Sequence, residues 1–283
     1  FYEDLAIFKN RVLNAKPIED AFLIQTSPKR SDVPAWDILT IRDLSFSYDE
    51  AGESSNLHVQ EIKINKGEKI AVIGESGSGK TTFLKVLHGL YPSAGATLQL
   101  DGEKTFSTSF ADLDLKTMLV PQEPEIFSST ILENITLGVS SPDEDIRKAI
   151  TTARFDDVVE SLPRGLESVI NEKGVNLSGG QKQRLALSRA LLFAKNKEII
   201  LLDESTSSVD SENESQIYQN IWEAFAGKTV IASIHKMNLL KFFDRICIFE
   251  KGQIVDEGSF AELLERNTSF QETWSQFVRT HNE

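Results

Sequence analysis

The sequence predicts an α/β fold built around a mainly parallel sheet. Two runs, 198–202 and 229–233, are apolar and rich in β-branched residues, which is typical of central strands covered on both faces. Segments with helical periodicity alternate with such runs, and this alternation indicates a parallel sheet. A chain of 283 residues, 40% of them hydrophobic, is long enough for one large α/β domain or two smaller ones.

The first 36 residues predict a helix followed by a linker. Leu5, Phe8 and Val12 recur at helical spacing, and residues 25–36 contain two prolines and several polar side chains. We expect one domain to extend from residue 37 to residue 283. The chain begins with phenylalanine instead of methionine, which suggests a piece of a longer polypeptide.

Strands and helices alternate in the next part of the chain. Residues 37–48 alternate in polarity, which predicts a strand, and a turn at 67–69 leads into a second strand at 70–73. Similar patterns predict a helix at 82–90, strands at 96–100 and 118–120, a helix at 185–193, a hairpin of 244–249 with 252–255, and helices at 259–266 and 270–278.

Three helix starts are predicted from a serine followed three residues later by a glutamate, the pattern of a capping box. The pairs are Ser141 with Glu144, Ser211 with Glu214, and Ser259 with Glu262. Pro142 follows the first serine, and proline is typical of the first helical position.

Composition argues against several classes of protein. Acidic residues outnumber basic residues 43 to 30, and the net charge of −13 disfavours a general attraction to nucleic acid or anionic lipid. The single cysteine, Cys247, can form no internal disulfide, and no Cys/His metal spacing occurs, which fits a reducing compartment. No run approaches the roughly 20 apolar residues of a membrane span, so we expect none in this sequence.

The clearest motif is a glycine-rich loop between a predicted strand and a predicted helix. It reads Gly74-Glu75-Ser76-Gly77-Ser78-Gly79-Lys80-Thr81 and matches G-x-x-x-x-G-K-[ST]. Backbone N–H groups of such a loop approach phosphates closely, and the helix N-terminus favours an anion. Lys80 is therefore the candidate contact to the β- and γ-phosphates, and Thr81 is a candidate Mg²⁺ ligand. The loop alone indicates only nucleotide binding.

A second motif is a strand that ends in two carboxylates, Asp203 and Glu204. In phosphoryl transfer the first acid of such a pair is the candidate for holding Mg²⁺. The second is the candidate general base, or the group that polarises the attacking water. A solvated acidic strand end is the alternative interpretation, and the phosphate loop disfavours it.

A third motif makes the pattern specific. About 20 residues before the carboxylates stands Leu177-Ser178-Gly179-Gly180-Gln181. A hydroxyl and two glycines at a helix start form a second anion-binding surface. With the other two motifs, this segment resembles the signature of ATP-binding cassette (ABC) proteins. The resemblance implies that Ser178, Gly179, Gly180 and Gln181 face the γ-phosphate of ATP held by a second copy of the domain.

Four further residues match the family in order, and their roles are implied by the resemblance. Tyr48 resembles the aromatic residue that stacks on adenine. Gln122 resembles the glutamine that reaches Mg²⁺ and water, and His235 resembles the histidine that contacts the γ-phosphate. Asp210 resembles the loop aspartate that communicates between two sites. Thr82, next to the phosphate loop, completes the expected nucleotide contacts.

The resemblance implies an architecture and an activity. The expected fold is a P-loop NTPase core with a mainly parallel sheet, an N-terminal antiparallel β subdomain and a helical signature subdomain at about 123–190. The expected activity is ATP hydrolysis with ATP and Mg²⁺ as cofactors. Two domains would close head to tail around two nucleotides and thereby power export across a membrane.

Residues 121–127, 129–135 and 172–174 are similar to exporter-type domains. The implied partners are a transmembrane domain upstream of Phe1 and a second nucleotide-binding domain, in a homodimer at the cytoplasmic face of a membrane. The alternative is a soluble ABC ATPase acting on nucleic acid or ribosomes. Such relatives tend to carry a coiled-coil insertion or tandem cassettes, which this sequence lacks, and the net charge of −13 argues against nucleic acid.

Overall fold

The computed structural model describes residues 35–48, 57–91, 93, 95–104, 113, 116–170 and 177–281. Nearly all of the predicted N-terminal helix and linker, and the exporter-like segment 172–174, lie outside these residues. The strands are β1 (Ile38–Phe46), β2 (Leu57–Asn65), β3 (Lys69–Ile73), β4 (Thr97–Leu100), β5 (Glu103–Lys104), β6 (Thr117–Val120), β7 (Ile199–Asp203), β8 (Thr229–Ser233), β9 (Arg245–Glu250) and β10 (Gln253–Gly258). The α-helices are α1 (Lys80–Leu87), α2 (Ile131–Thr136), α3 (Asp143–Thr152), α4 (Asp156–Ser161), α5 (Gly179–Phe193), α6 (Ser211–Ala224), α7 (Phe260–Arg266) and α8 (Thr268–His281).

A six-stranded sheet forms the centre of the described domain, in the order β10-β9-β3-β8-β7-β6. Its neighbouring strands are parallel except for the β9–β10 hairpin. The predicted α/β fold with a mainly parallel sheet is therefore confirmed. Because β3, β7 and β8 run in the same direction, the residues that follow them meet at one edge of the sheet.

A second sheet is antiparallel, in the order β2-β1-β4-β5, as the family resemblance implied. Strand β2 was not predicted. Its buried residues alternate with exposed ones only up to Val59, because Gln60 and Glu61 are both exposed before the alternation resumes at Ile62. On β1 the matching irregularity is at Asp43, which has a φ of 53° and no paired residue in β2. The pairing keeps the same register on both sides of this irregularity, but the two successive exposed residues of β2 break the period-two pattern and obscure the strand.

The central sheet packs against a different layer on each face. Along β7, Ile199 and Leu201 join a core shared with α1 and the antiparallel sheet, whereas Ile200 and Leu202 join a core under α5 and α6. Successive strand residues point to opposite faces, so a run that is apolar at every position is buried on both sides. Packing on both faces therefore fixes the carboxyl ends of the central strands, which carry the predicted motifs.

Only one of the three predicted capping boxes forms. Ser259 and Glu262 cap α7 as predicted. Helix α3 begins after Pro142 without a side-chain cap, because Ser141 Oγ donates to the carbonyl of Val139 instead. At α6 the cap is Asp210, not Ser211, because Asp210 accepts a hydrogen bond from the N–H of residue 213.

No helix within the described ranges has both the length and the apolar character that crossing a membrane requires. The predicted limits of the domain, and of its helical part at about 123–190, stay predictions.

Candidate functional site

The phosphate loop joins β3 to α1 and is pressed against the β9–β10 hairpin. Gly74, Gly77 and Gly79 have φ values of 149°, 80° and 105°, which side chains disfavour. A Cβ at Gly74 would lie 2.2 Å from the carbonyl oxygen of Phe249. The N–H of Gly252 also donates to the carbonyl of the loop residue Ser78 at 2.9 Å. The loop shape therefore depends on contacts with the hairpin.

Lys80 begins α1 and is almost completely buried, with 4% of its surface exposed. Its Nζ donates to the carbonyl oxygens of Gly74 at 2.9 Å and Glu75 at 3.0 Å. Burial lowers the pKa of Lys80, and the negative charges of Glu204 and Asp203 partly oppose that shift. The ammonium group is thus held inside the loop, beside the two acids.

Thr81 and Asp203 bring two oxygen ligands together from different elements. Thr81 Oγ1 donates to Asp203 Oδ1 at 3.0 Å. Burial is the main cause that raises the pKa of Asp203, and Glu204 adds to it, whereas the bond from Thr81 acts in the opposite direction. A hydroxyl and a carboxylate are ligands that suit Mg²⁺, which is held by one or two carboxylates together with substrate phosphates and water. The donor set therefore fits this metal.

Glu204 lies between two other predicted site residues. Its Oε2 accepts a hydrogen bond from Gln122 Nε2 at 2.7 Å, and its Oε1 lies 2.5 Å from His235 Nε2. The backbone of Glu204 has a φ of 45°, in the left-handed region that non-glycine residues rarely adopt. Unusual backbone conformations of this kind are typical of functional sites. The three loops after β6, β7 and β8 thus meet at one carboxylate.

Tyr48 borders the other end of the same cleft. Its hydroxyl lies 3.1 Å from Thr82 Oγ1, and its ring packs edge-on against Phe46 with 4.9 Å between centroids. Because 53% of Tyr48 is exposed, one part of the ring is open to a planar ligand.

Most of these residues line a cleft of about 470 Å³; Asp203 lies outside the lining, bonded to the lining residue Thr81. Its lining contains Tyr48, Leu57, Ser76, Gly77, Gly79, Lys80, Thr81, Thr82, Gln122, Glu204, His235 and Gly252. Leu57 and Gly252 were not predicted, and neither belongs to a recognisable motif. Glu75 is exposed on the loop outside this lining, whereas Gly74 and Ser78 serve the packing of the loop.

The signature segment lies at the start of α5. Ser178 is the N-cap, and it forms a capping box with Gln181 through bonds of 2.8 and 3.2 Å. Among the residues that the structure describes, the signature positions do not line the cleft. The structure therefore places the two predicted phosphate-binding surfaces apart in one chain.

Asp210 is also outside the cleft lining. It caps α6 and accepts hydrogen bonds from both the side chain and the backbone N–H of Asn213, and these two bonds lower its pKa. In this chain, the observed hydrogen bonds of Asp210 stabilise the start of α6.

Beside the cleft, sequence reasoning also missed Gln183, Glu214 and Lys236. Lys236 Nζ donates to the carbonyl of Val209 at 2.7 Å and lies 2.8 Å from Glu214 Oε2. Glu214 is buried on the face of α6 that carries Ile217. An acid on an apolar helix face is a signal that could have indicated a buried ion pair. For Gln183 the only signal is its position two residues after the signature.

The two signature glycines provide a matched stability prediction. A Cβ at Gly180 would lie 2.6 Å from the carbonyl oxygen of Ser208, whereas a Cβ at Gly179 would lie at an ordinary 3.5 Å from the Ser208 side chain. We expect Gly180→Ala to lower the free energy of unfolding by about 1–3 kcal/mol through overpacking. Gly179→Ala should be neutral or stabilising by up to about 1 kcal/mol. Denaturant unfolding of both variants measures the difference, and equal effects would contradict the predicted contact.

Comparison with known proteins gives a consistent set of relatives. The family model described as ABC transporter matches residues 57–207. The probable multidrug resistance ABC transporter ATP-binding/permease protein YheI of Bacillus subtilis is 35% identical over 88% of this chain and 42% of that protein. The ATP-dependent lipid A-core flippase of Cupriavidus metallidurans is 34% identical over 81% of this chain and 39% of the flippase.

Multidrug resistance protein 1 of Entamoeba histolytica is 35% identical over 80% of this chain, which spans 18% of that protein. This chain therefore spans less than half the length of the curated relatives that it matches. A solved structure of a bacterial Atm1-family ABC exporter with ATP bound superposes with a TM-score of 0.76 at 28% identity. That match covers 94% of this chain and 47% of the exporter chain.

Proposed function

Because this chain belongs to the ABC transporter family, we propose that it binds and hydrolyses ATP to power export across a membrane. The observation that carries the proposal is the placement of Glu204. Its carboxylate contacts the side chains of Gln122 and His235. All three residues line the same cleft as Lys80, whose ammonium group is buried.

The triphosphate would lie along the phosphate loop, with its anionic charge stabilised by backbone N–H groups and by Lys80. Thr81, Asp203 and Gln122 would hold Mg²⁺, which would neutralise charge on the phosphates. Glu204 would polarise a water molecule and accept its proton as the water oxygen bonds to the γ-phosphorus. The bond from that phosphorus to the bridging oxygen then breaks, and the products are ADP and phosphate.

The complete site is proposed to need two domains. In this chain, Ser178 to Gln181 lie outside the cleft, although the small residues at this helix start suit an anion. We propose that they meet the γ-phosphate in the cleft of a second copy. A head-to-tail pair would then contain two equal sites, which is the arrangement expected of a homodimer.

The proposed partner of this pair is a transmembrane domain, and the proposed location is the cytoplasmic face of a membrane. The relatives named as a flippase and a multidrug resistance transporter support this proposal, since both are longer than the chain that matches them.

Nucleotide affinity of Tyr48 variants tests the adenine end of the cleft. Tyr48→Ala should weaken ATP binding about tenfold, since stacking of a base on an aromatic ring contributes about 1–3 kcal/mol. Tyr48→Phe keeps the ring and should change the affinity at most a few-fold. Inorganic tripolyphosphate has no base, so its affinity should be the same for all three proteins. Equal loss of ATP and tripolyphosphate affinity would contradict the role of Tyr48.

The function itself is tested by measuring Mg²⁺-dependent phosphate release from ATP, and then ATP-dependent transport by the longest polypeptide that carries this chain, reconstituted in vesicles. Phosphate release without transport, combined with salt-sensitive binding to DNA or ribosomes, would favour a soluble ABC ATPase that acts on nucleic acid or ribosomes. ATP binding without hydrolysis would refute the enzymatic role.

A further inference from the structure

A single buried side chain, Gln183, contacts three separate parts of the candidate site. It lies on α5, two residues beyond the capping box of the signature, and only 6% of its surface is exposed. Its amide group reaches the loop that follows β7 at Ser207 and Ser208, and it also approaches the carbonyls of Gln122 and Glu204. Gln183 does not itself line the cleft.

The hydrogen-bonding pattern fixes the orientation of this amide. Oε1 accepts from the N–H of Ser208 at 2.8 Å, and Nε2 donates to Ser207 Oγ at 3.0 Å. The second hydrogen of Nε2 is shared by the carbonyl oxygens of Gln122 at 3.4 Å and Glu204 at 3.5 Å. The reverse orientation would direct the amide oxygen at two carbonyl oxygens and the NH₂ group at an N–H donor, so only one arrangement is satisfied.

The contacts of Gln183 link the backbones of two residues whose side chains bond to each other. Gln122 Nε2 donates to the carboxylate of Glu204, and Gln183 lies beside the carbonyls of both. The start of α5 also touches the same loop through Gly180, which lies against the carbonyl of Ser208. A shift of α5 would therefore move the loop after β7 and change the placement of the carboxylate.

We propose that Gln183 is a positioning residue, which transmits the position of the signature helix to the carboxylate of Glu204. The proposal rests on the hydrolytic function proposed above. It assigns Gln183 no contact with ATP or with water. Its effect is therefore on the rate of the chemical step, since small displacements of reacting groups reduce rates strongly while the binding contacts remain.

The test compares Gln183→Met with wild type and with Ser188→Ala. Methionine retains the length of the side chain but removes both hydrogen-bonding groups. Ser188 carries a fully buried hydroxyl on the same helix, and among the described residues it donates to the carbonyl of Arg184 in α5, so its variant controls for damage to the helix. We expect kcat for ATP to fall about 10- to 100-fold in Gln183→Met, with the KM for ATP within about threefold of wild type.

Gln183→Glu provides a second variant, because it keeps the acceptor for Ser208 but replaces the donor with an oxygen that faces two carbonyls. The kcat of Gln183→Glu for ATP should also fall below that of wild type, as in Gln183→Met. Measurements use the longest polypeptide that carries this chain, with the Tm of each variant determined in parallel. Turnover within twofold of wild type in Gln183→Met would overturn the proposal. So would a loss of kcat that follows the loss of Tm equally in Gln183→Met and Ser188→Ala. A wild-type protein without turnover would instead refute the proposed hydrolysis, and this inference with it.

Discussion

Glu204→Gln is expected to reduce ATP turnover by about 10²- to 10⁴-fold while ATP binding is retained. A positioned general base contributes a factor of this size, and an amide cannot accept the proton. The substitution is isosteric, and its amide oxygen can still accept the bond from Gln122 Nε2. The cleft and the phosphate loop should therefore keep their shape. Phosphate release under saturating ATP and equilibrium binding of ATP measure the two quantities separately.

The matched control for this variant is Glu198→Gln. It is the same substitution directly before the first residue of β7, where the carboxylate pairs with Lys116 at 2.8 Å. Its kcat should lie within about twofold of wild type, because Glu198 and its ion-pair partners Lys116 and Lys66 lie at the opposite end of β7 from Asp203 and outside the cleft lining. Turnover by Glu204→Gln equal to that of the control would remove Glu204 from its proposed role.

Lys80→Met is expected to weaken ATP binding about 100-fold. Hydrogen bonds between a charged donor and a phosphate contribute about 1.5–3 kcal/mol, and a loss of about 2.7 kcal/mol corresponds to that factor. The carbonyls of Gly74 and Glu75 also lose their donor in the nucleotide-free protein. Titration calorimetry with a non-hydrolysable ATP analogue measures the affinity.

Two further substitutions separate charge from geometry at this position. Lys80→Arg keeps the positive charge, yet a planar guanidinium group does not fit a site that is only 4% exposed. We therefore expect a loss of affinity close to that of Lys80→Met. Lys63→Met removes an exposed lysine of β2 that pairs with Glu61 at 3.4 Å, and it should leave the affinity unchanged. Retained affinity in Lys80→Met would contradict the assignment.

The motifs were predictable from sequence because their chemistry needs particular residues next to one another. The loop 74–81 and the pair Asp203 and Glu204 are contiguous, and the structure joins them at the ends of β3 and β7. The contact of Gln122 with Glu204 spans 82 residues. Spacing alone cannot give such a contact, and the family resemblance predicted only that Gln122 would reach the same Mg²⁺ and water.

Other features could not be predicted because tertiary contacts override local signals. Ser211 has the pattern of a helix cap, but Glu214 three residues later is drawn into the core, where it accepts from Thr206 at 2.7 Å and pairs with Lys236. With that glutamate unavailable for a capping box, Asp210 caps the helix. Strand β2 was missed for a related reason, since two successive exposed residues opposite the irregularity at Asp43 break the alternation on which prediction depends.

The contact of the phosphate loop with the β9–β10 hairpin has a consequence for the order of folding. Gly74 lies against Phe249 and Gly79 against Gly252, so residues far apart in sequence define one tight backbone path. During synthesis the loop leaves the ribosome long before the hairpin that completes its shape. Contacts between such distant segments form late and slowly because of the entropy of closing the intervening chain. The nascent domain therefore acquires its nucleotide-binding form only after its C-terminal strands have been made.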